Sequence, residues 1–169
     1  MTATAPLRVL ILCTGNSARS IMAEYLLGVK GRGRFEVHSA GSKPTGKVNP
    51  LALWVLKECF GIDARAARSK SWDEFKAVPF DCVITVCDHA QAACPVWPGK
   101  PILAHWGSPD PAAVEGTEEE NKRAFVAVAQ QIGQRVDLLC ALPPQQIDQL
   151  RMQAIGQHAK GEGESRLAR

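Results

Sequence analysis

Apolar and polar positions along this chain change period several times, and each change marks an element. Residues 7–12, LRVLIL, form an apolar run too short for a helix, which reads as a strand buried on both faces. FDCVITVC at 80–87 reads the same way. RFEVH at 34–38 alternates and predicts a shorter strand, and PILAH at 101–105 predicts a fourth. Between these runs the spacing turns helical. Ile21, Met22, Tyr25, Leu26 and Val29 fall on one face, and Asn49-Pro50 caps and opens a helix through Leu53, Leu56 and Phe60 that stops at Gly61. Thr117 and Glu120 form a capping box, after which Phe125, Val128, Ile132, Val136 and Leu139 recur at threes and fours as far as Pro143-Pro144.

Strands alternating with helices over short connections predict an α/β fold: one domain with a central four-stranded parallel sheet and helices on both faces. Ligands of such sheets bind at the carboxyl ends of the strands, where Cys13 and Cys87 both stand. The domain is read as residues 1–142, followed over 143–169 by a C-terminal helix, at 145–157, and a flexible polar tail. A length of 169 residues with 46% hydrophobic and 22% charged positions agrees with one core. The net charge of +3 is spread along the chain, which argues against a nucleic-acid surface and for local anion contacts. No apolar run is long enough for a membrane span and the N-terminus lacks a charged leader, so the protein is expected to be cytoplasmic with no membrane partner.

Six cysteines change the picture. Cys13, Cys59, Cys82, Cys87, Cys94 and Cys140 form no CxxC pair and no comb with histidine, which argues against zinc. Cys13 and Arg19 frame a C-x5-R turn between strand and helix. Gly15 and Asn16 tolerate left-handed backbone there, so successive N–H groups can turn inward beside a helix N-terminus and cradle an oxyanion. Arg19 would close the cradle, Ser20 would donate to the Cys13 sulfur, and the positive field would lower the thiol pKa. Read alone, Cys13 is equally well a core cysteine at a strand end. Cys87 and Cys94 flank an Ala-rich segment. In a helix they would lie about 10 Å apart, beyond the reach of a disulfide, so they are either independent thiols or a pair that needs the segment to unwind. Asp110, in SPDP, reads on spacing alone as a turn residue.

VLILCTGNSARSIMAE at 9–24, with SAG at 39–41 and WGSPDPA at 106–112, resembles the low-molecular-weight protein tyrosine phosphatase superfamily, and within it the thioredoxin-coupled arsenate reductases. The resemblance covers most of residues 7–141 and implies arsenate reduction to arsenite through three thiols, with phosphatase action on phosphotyrosine or small esters as the alternative. It makes Cys13 the nucleophile, Thr14, Gly15, Asn16, Ser17, Ala18 and Arg19 the oxyanion loop, Asp110 the general acid, and Cys87 and Cys94 a redox pair. The tyrosine phosphatases carry a second loop cysteine, a proline after Arg-Ser and tyrosines after Asp-Pro. Ala18, Ile21 and AAV at 112–114 stand in those places, and Trp97 or Trp106 would have to supply the aromatic wall. No metal or flavin is required. Asn16, Glu24 and Ser39 resemble residues of a monovalent-cation site, which makes potassium a possible ligand. The reductant implied is thioredoxin, with glutaredoxin and glutathione as alternatives.

Cys59, Cys82 and Cys140 fall where packing residues are expected. His38, His89, His105 and His158 show no metal-binding spacing, and most of them are expected on the surface or in loops.

Overall fold

Leu7–Cys13 form β1, and the five consecutive buried residues Val9 to Cys13 show that both faces of this strand are covered. The computed structural model describes residues 5–157. After β1 come α1 (Arg19–Lys30), β2 (Phe35–Gly41), α2 (Pro50–Phe60), β3 (Cys82–Thr85), α3 (Asp88–Ala93), β4 (Ile102–His105) and α4 (Glu118–Cys140). Residues 149–157 are helical again and are called α5. The four strands are parallel in the order β2-β1-β3-β4. Cys13 pairs with Gly41 and Leu12 with Thr85, so the C-terminal ends of β2, β1 and β3 are level.

Caps place the helices as expected. The Asn49 side chain accepts from Leu51 N, Pro50 opens α2, and Gly61 ends it at φ 67. Thr117 accepts from Glu120 N at 3.2 Å at the head of α4. Inside the core, Phe125, Val128, Ile132, Val136 and Leu139 of α4 are buried, and α4 packs on α1, which lies along β1 and β2.

Three details differ from the expectation. β2 runs past His38 to Gly41, because Ser39, Ala40 and Gly41 continue the ladder beside Ile11, Leu12 and Cys13. Residues 144–146 form a short 3-10 turn and α5 begins only at 149. Cys82 is buried and Cys140 half-buried, but Cys59 sits on the solvent side of α2 and is exposed.

The C-terminal helix covers the edge of the sheet. Gln149 Oε1 accepts from Leu103 N at 3.0 Å while Gln149 Nε2 donates to Leu103 O, and Gln153 Oε1 accepts from His105 N at 3.2 Å. Two amides one helical turn apart thus occupy the ladder groups of β4 that a fifth strand would otherwise take. Met152 and Ile155 seal the contact by entering the core. The polar tail expected at 158–169 lies outside the described residues. No helix among those described is long and apolar enough to cross a membrane.

Candidate active site

The loop after β1 turns its carbonyls outward. Cys13 O, Thr14 O, Gly15 O and Ser17 O accept from the backbone N–H groups of Ser42, Lys43, Thr45 and Asn49 at 2.8–3.2 Å, and Gly15 O also accepts from Ser69 Oγ at 3.0 Å. With the carbonyls held on the outside, the amides of the same peptides face inward, which is the condition for an anion cradle. Asn16 takes the left-handed conformation at φ 48; Gly15, expected to share it, does not. Gly41 explains the small residues of SAG: a Cβ there would stand 2.4 Å from Thr14 O, so only glycine lets β2 approach the loop.

At the bottom of the loop Cys13 is buried. Its sulfur lies 2.9 Å from Ser20 Oγ and accepts from Asn16 N at 3.1 Å. Burial pushes the Cys13 thiol up, and the hydrogen bonds from Ser20 and Asn16 oppose that rise without reversing it. The expected depression of the thiol pKa is therefore corrected: desolvation outweighs the local donors.

Arg19 opens α1 and reaches across the mouth. Its Nη1 donates to Ser108 O at 2.9 Å, and its Nη2 stands 3.9 Å from Asp110 Oδ2. Asp110 itself caps a short turn, accepting from Ala112 N at 3.0 Å, with its other oxygen turned to Arg19. Behind this stretch lies Arg135 of α4, fully buried and, among the described residues, without a carboxylate as ion-pair partner. Its Nη1 donates to Trp106 O, Gly107 O and Ser108 Oγ at 2.8–3.1 Å, and its Nη2 donates to Gly156 O at 3.0 Å. Two arginines thus hold the Asp110 stretch from opposite sides.

Cys87 and Cys94 bracket α3. Cys87, buried beyond the end of β3, lies 3.4 Å from Thr14 Oγ1 and accepts from Ala90 N at the same distance. Cys94 ends the helix, accepts from Trp97 Nε1 at 3.4 Å, and lines a cavity of about 180 Å³ with Thr85, His105 and Gln153. His105, in the strand expected at 101–105, ends β4; its Nδ1 lies 2.8 Å from Thr85 Oγ1 and its Nε2 2.9 Å from Asp88 Oδ1 at the start of α3. All six cysteines are free thiols.

Residues 8–151 match the low molecular weight phosphotyrosine protein phosphatases. The chain belongs to this family. It is 43% identical to the arsenate reductase of Halalkalibacterium halodurans over 129 residues, which are 76% of this chain and 91% of that one. A solved arsenate reductase in its oxidized state is similar at a TM-score of 0.67 and 30% identity, covering 79% of this chain and 96% of that chain. The thioredoxin-dependent arsenate reductase of Corynebacterium glutamicum is similar at a TM-score of 0.55 and 29% identity, over 82% of this chain and 65% of that one.

Trp97 and Trp106, the two candidates for a wall beside the loop, are both buried, Trp97 on Cys94 and Trp106 on Met152 O. The structure gathers Cys13, Arg19, Ser20, Asp110 and Cys87 around one loop and sets Cys94 at the far end of α3. Asn16, Glu24 and Ser39 also come together, on a lysine that the sequence pattern does not single out: Lys70 N donates to Asn16 Oδ1 at 2.9 Å, and Lys70 Nζ stands 3.5 Å from Ser39 Oγ and 3.8 Å from Glu24 Oε1. Among the described residues, no group of three or more His, Cys, Asp and Glu side chains is placed to hold a metal ion. Lys70, Arg135 and Ser108 escaped the sequence because their partners lie far away in the chain.

Proposed function

We propose that this member of the family is an arsenate reductase that works through Cys13, Cys87 and Cys94. The observation that carries the reading is the hydrogen-bond link, through Thr14, between the Cys13 loop and the Cys87 sulfur, with a further free thiol at the other end of a six-residue helix. Similarity to the named arsenate reductases supports it, as does the burial of Trp97 and Trp106, the two candidates for an aromatic wall.

In this reading the inward amides and Arg19 bind the oxyanion. The Cys13 sulfur attacks arsenic while its proton passes to an arsenate oxygen. Asp110 protonates the departing oxygen, which leaves as water. Cys87 then attacks the Cys13 sulfur. The S–As bond breaks, its electron pair goes to arsenic, the Cys87 proton goes to the leaving arsenite, and a Cys13–Cys87 disulfide forms. Cys94 attacks Cys87 in turn, returning Cys13 to the thiol and leaving a Cys87–Cys94 disulfide for an external dithiol to reduce, thioredoxin by resemblance. A helix rises about 1.5 Å per residue, so this second bridge requires α3 to unwind.

Cys87→Ser and Cys94→Ser are the test. Each is expected to stop multiple-turnover arsenate reduction with thioredoxin while leaving aryl-phosphate hydrolysis, which needs Cys13, Arg19 and Asp110. Mass spectrometry after arsenate and before reductant is expected to find the Cys87–Cys94 bridge. Free thiols throughout, with phosphatase turnover intact, would replace this reading by that of a phosphatase.

A further inference from the structure

One connected polar cluster runs from the Cys13 sulfur into the protein. Ser20 Oγ, 2.9 Å from that sulfur, accepts from Asn16 Nδ2 at 2.7 Å, and the same amide donates to Ser39 Oγ at 3.0 Å. Ser39 in turn acts on the Glu24 carboxylate, opposing the rise that burial imposes on it. At the centre stands the ammonium of Lys70, 3.1 Å from Arg68 O, 3.5 Å from Ser39 Oγ and 3.8 Å from Glu24 Oε1. The Lys70 and Glu24 side chains are 9% and 16% exposed.

A carboxylate, a hydroxyl and a backbone carbonyl are the hard oxygen ligands a monovalent cation would take. Here the chain brings its own positive charge to them. Asn16 Oδ1, which the family resemblance offers to potassium, is engaged by Lys70 N at 2.9 Å. The residues present do not fit a free cation in addition. We infer that Lys70 is a positioning residue whose tethered ammonium serves as the permanent cation beneath the oxyanion loop, so that the site works without potassium.

The ammonium acts through its neighbours. It holds Ser39, which receives the Asn16 amide, and Asn16 keeps φ 48 with its N–H on the Cys13 sulfur. Burial pushes Lys70 down and Glu24 opposes that shift; burial pushes Glu24 up and Lys70 opposes it. Glu74 acts on Lys70 from the 3-10 turn Trp72–Phe75 and Arg68 from the segment before it, His38 acts on Glu24 from β2, and Cys87 acts on Cys13 from beyond β3.

The experiment compares the full chain with Lys70→Met in potassium chloride and in tetramethylammonium chloride at equal ionic strength. It reads the thermal midpoint and the rate at which iodoacetamide alkylates Cys13, followed by peptide mass spectrometry. The native protein is expected to give the same midpoint and rate in both salts. Lys70→Met is expected to alkylate about tenfold more slowly in tetramethylammonium and to recover in potassium or ammonium chloride. Lys70→Gln, which keeps a hydrogen-bond donor without the charge, gives the same readout should the methionine variant not fold. Potassium-dependent stabilisation of the native protein, or Lys70 variants alkylating at the native rate in both salts, would overturn the inference. Neither measurement involves arsenate, so this inference and the reductase reading fail separately.

Discussion

The Thr14 hydroxyl lies 3.4 Å from the Cys87 sulfur, and through it the oxyanion loop touches the chain beyond β3. On the proposed mechanism, the thiol that attacks Cys13 is thus held beside the loop before any substrate arrives. Thr14→Val keeps the shape and removes the bond, worth about 1 kcal/mol, and is expected to slow arsenite release in a single turnover about fivefold. Rapid-quench measurement of arsenite checks it; an unchanged rate would show that the contact does not position Cys87.

Cys13 gives a pH dependence. Its thiol is raised above the ordinary value of 9.0 by burial, so alkylation is expected to keep climbing through pH 9 instead of levelling off near neutrality. Ser20→Ala removes the larger of the opposing hydrogen bonds and is expected to slow alkylation at neutral pH by about tenfold or more. A plateau reached below pH 8 would contradict this.

Cys82 predicts alkaline loss of stability. Burial pushes this thiol from 9.0 up to about 12. Because the folded state binds the proton more tightly than the unfolded chain, the contribution is complete below pH 9 and is lost as pH rises towards 12. A shift of about 3 units corresponds to about 4 kcal/mol at the end of that window. Urea unfolding at pH 8 and pH 11 is expected to show the fall, and Cys82→Ala to flatten it; equal slopes in both proteins would assign the loss elsewhere.

Arg135→Met should act at a distance. It strips donors from Trp106 O, Gly107 O, Gly156 O and the Ser108 hydroxyl, all inside the protein, and is expected to cost about 3 kcal/mol in urea unfolding. The same change frees the Asp110 stretch, so kcat should fall more than KM rises. A loss of stability with kcat intact would confine Arg135 to a structural role.

Caps and periodicity made α2 and α4 legible, since Asn49, Pro50, Gly61 and Thr117 act within a few residues of themselves. The oxyanion loop was legible because its chemistry is compressed into Cys13 to Ser20. What the sequence hid is non-local. Lys70 meets Asn16 and Ser39 only after the chain has passed through β2 and α2, and nothing in its neighbours distinguishes it from a surface lysine. Arg135 occupies a charged position on an amphipathic helix, yet α5 closes over it from beyond α4. Cys59 misled in the opposite sense: near apolar neighbours in sequence, it falls on the outer side of α2. The Cys13 pKa was misjudged because burial is a property of the whole fold, whereas the loop's donors are visible locally.

The outward carbonyls of residues 13, 14, 15 and 17 also bear on selectivity. They are anchored by Ser42, Lys43, Thr45 and Asn49, and a ring of amides held in this way judges only shape and charge. Phosphate and arsenate are nearly the same tetrahedron, so the commoner ion competes for the seat on almost equal terms. On the proposed mechanism, discrimination falls to the thiol exchange after binding: arsenic accepts an electron pair when Cys87 attacks, and phosphorus does not. Selectivity then lies in commitment rather than in capture, and the enzyme's efficiency in a cell is set by how quickly phosphate vacates the loop.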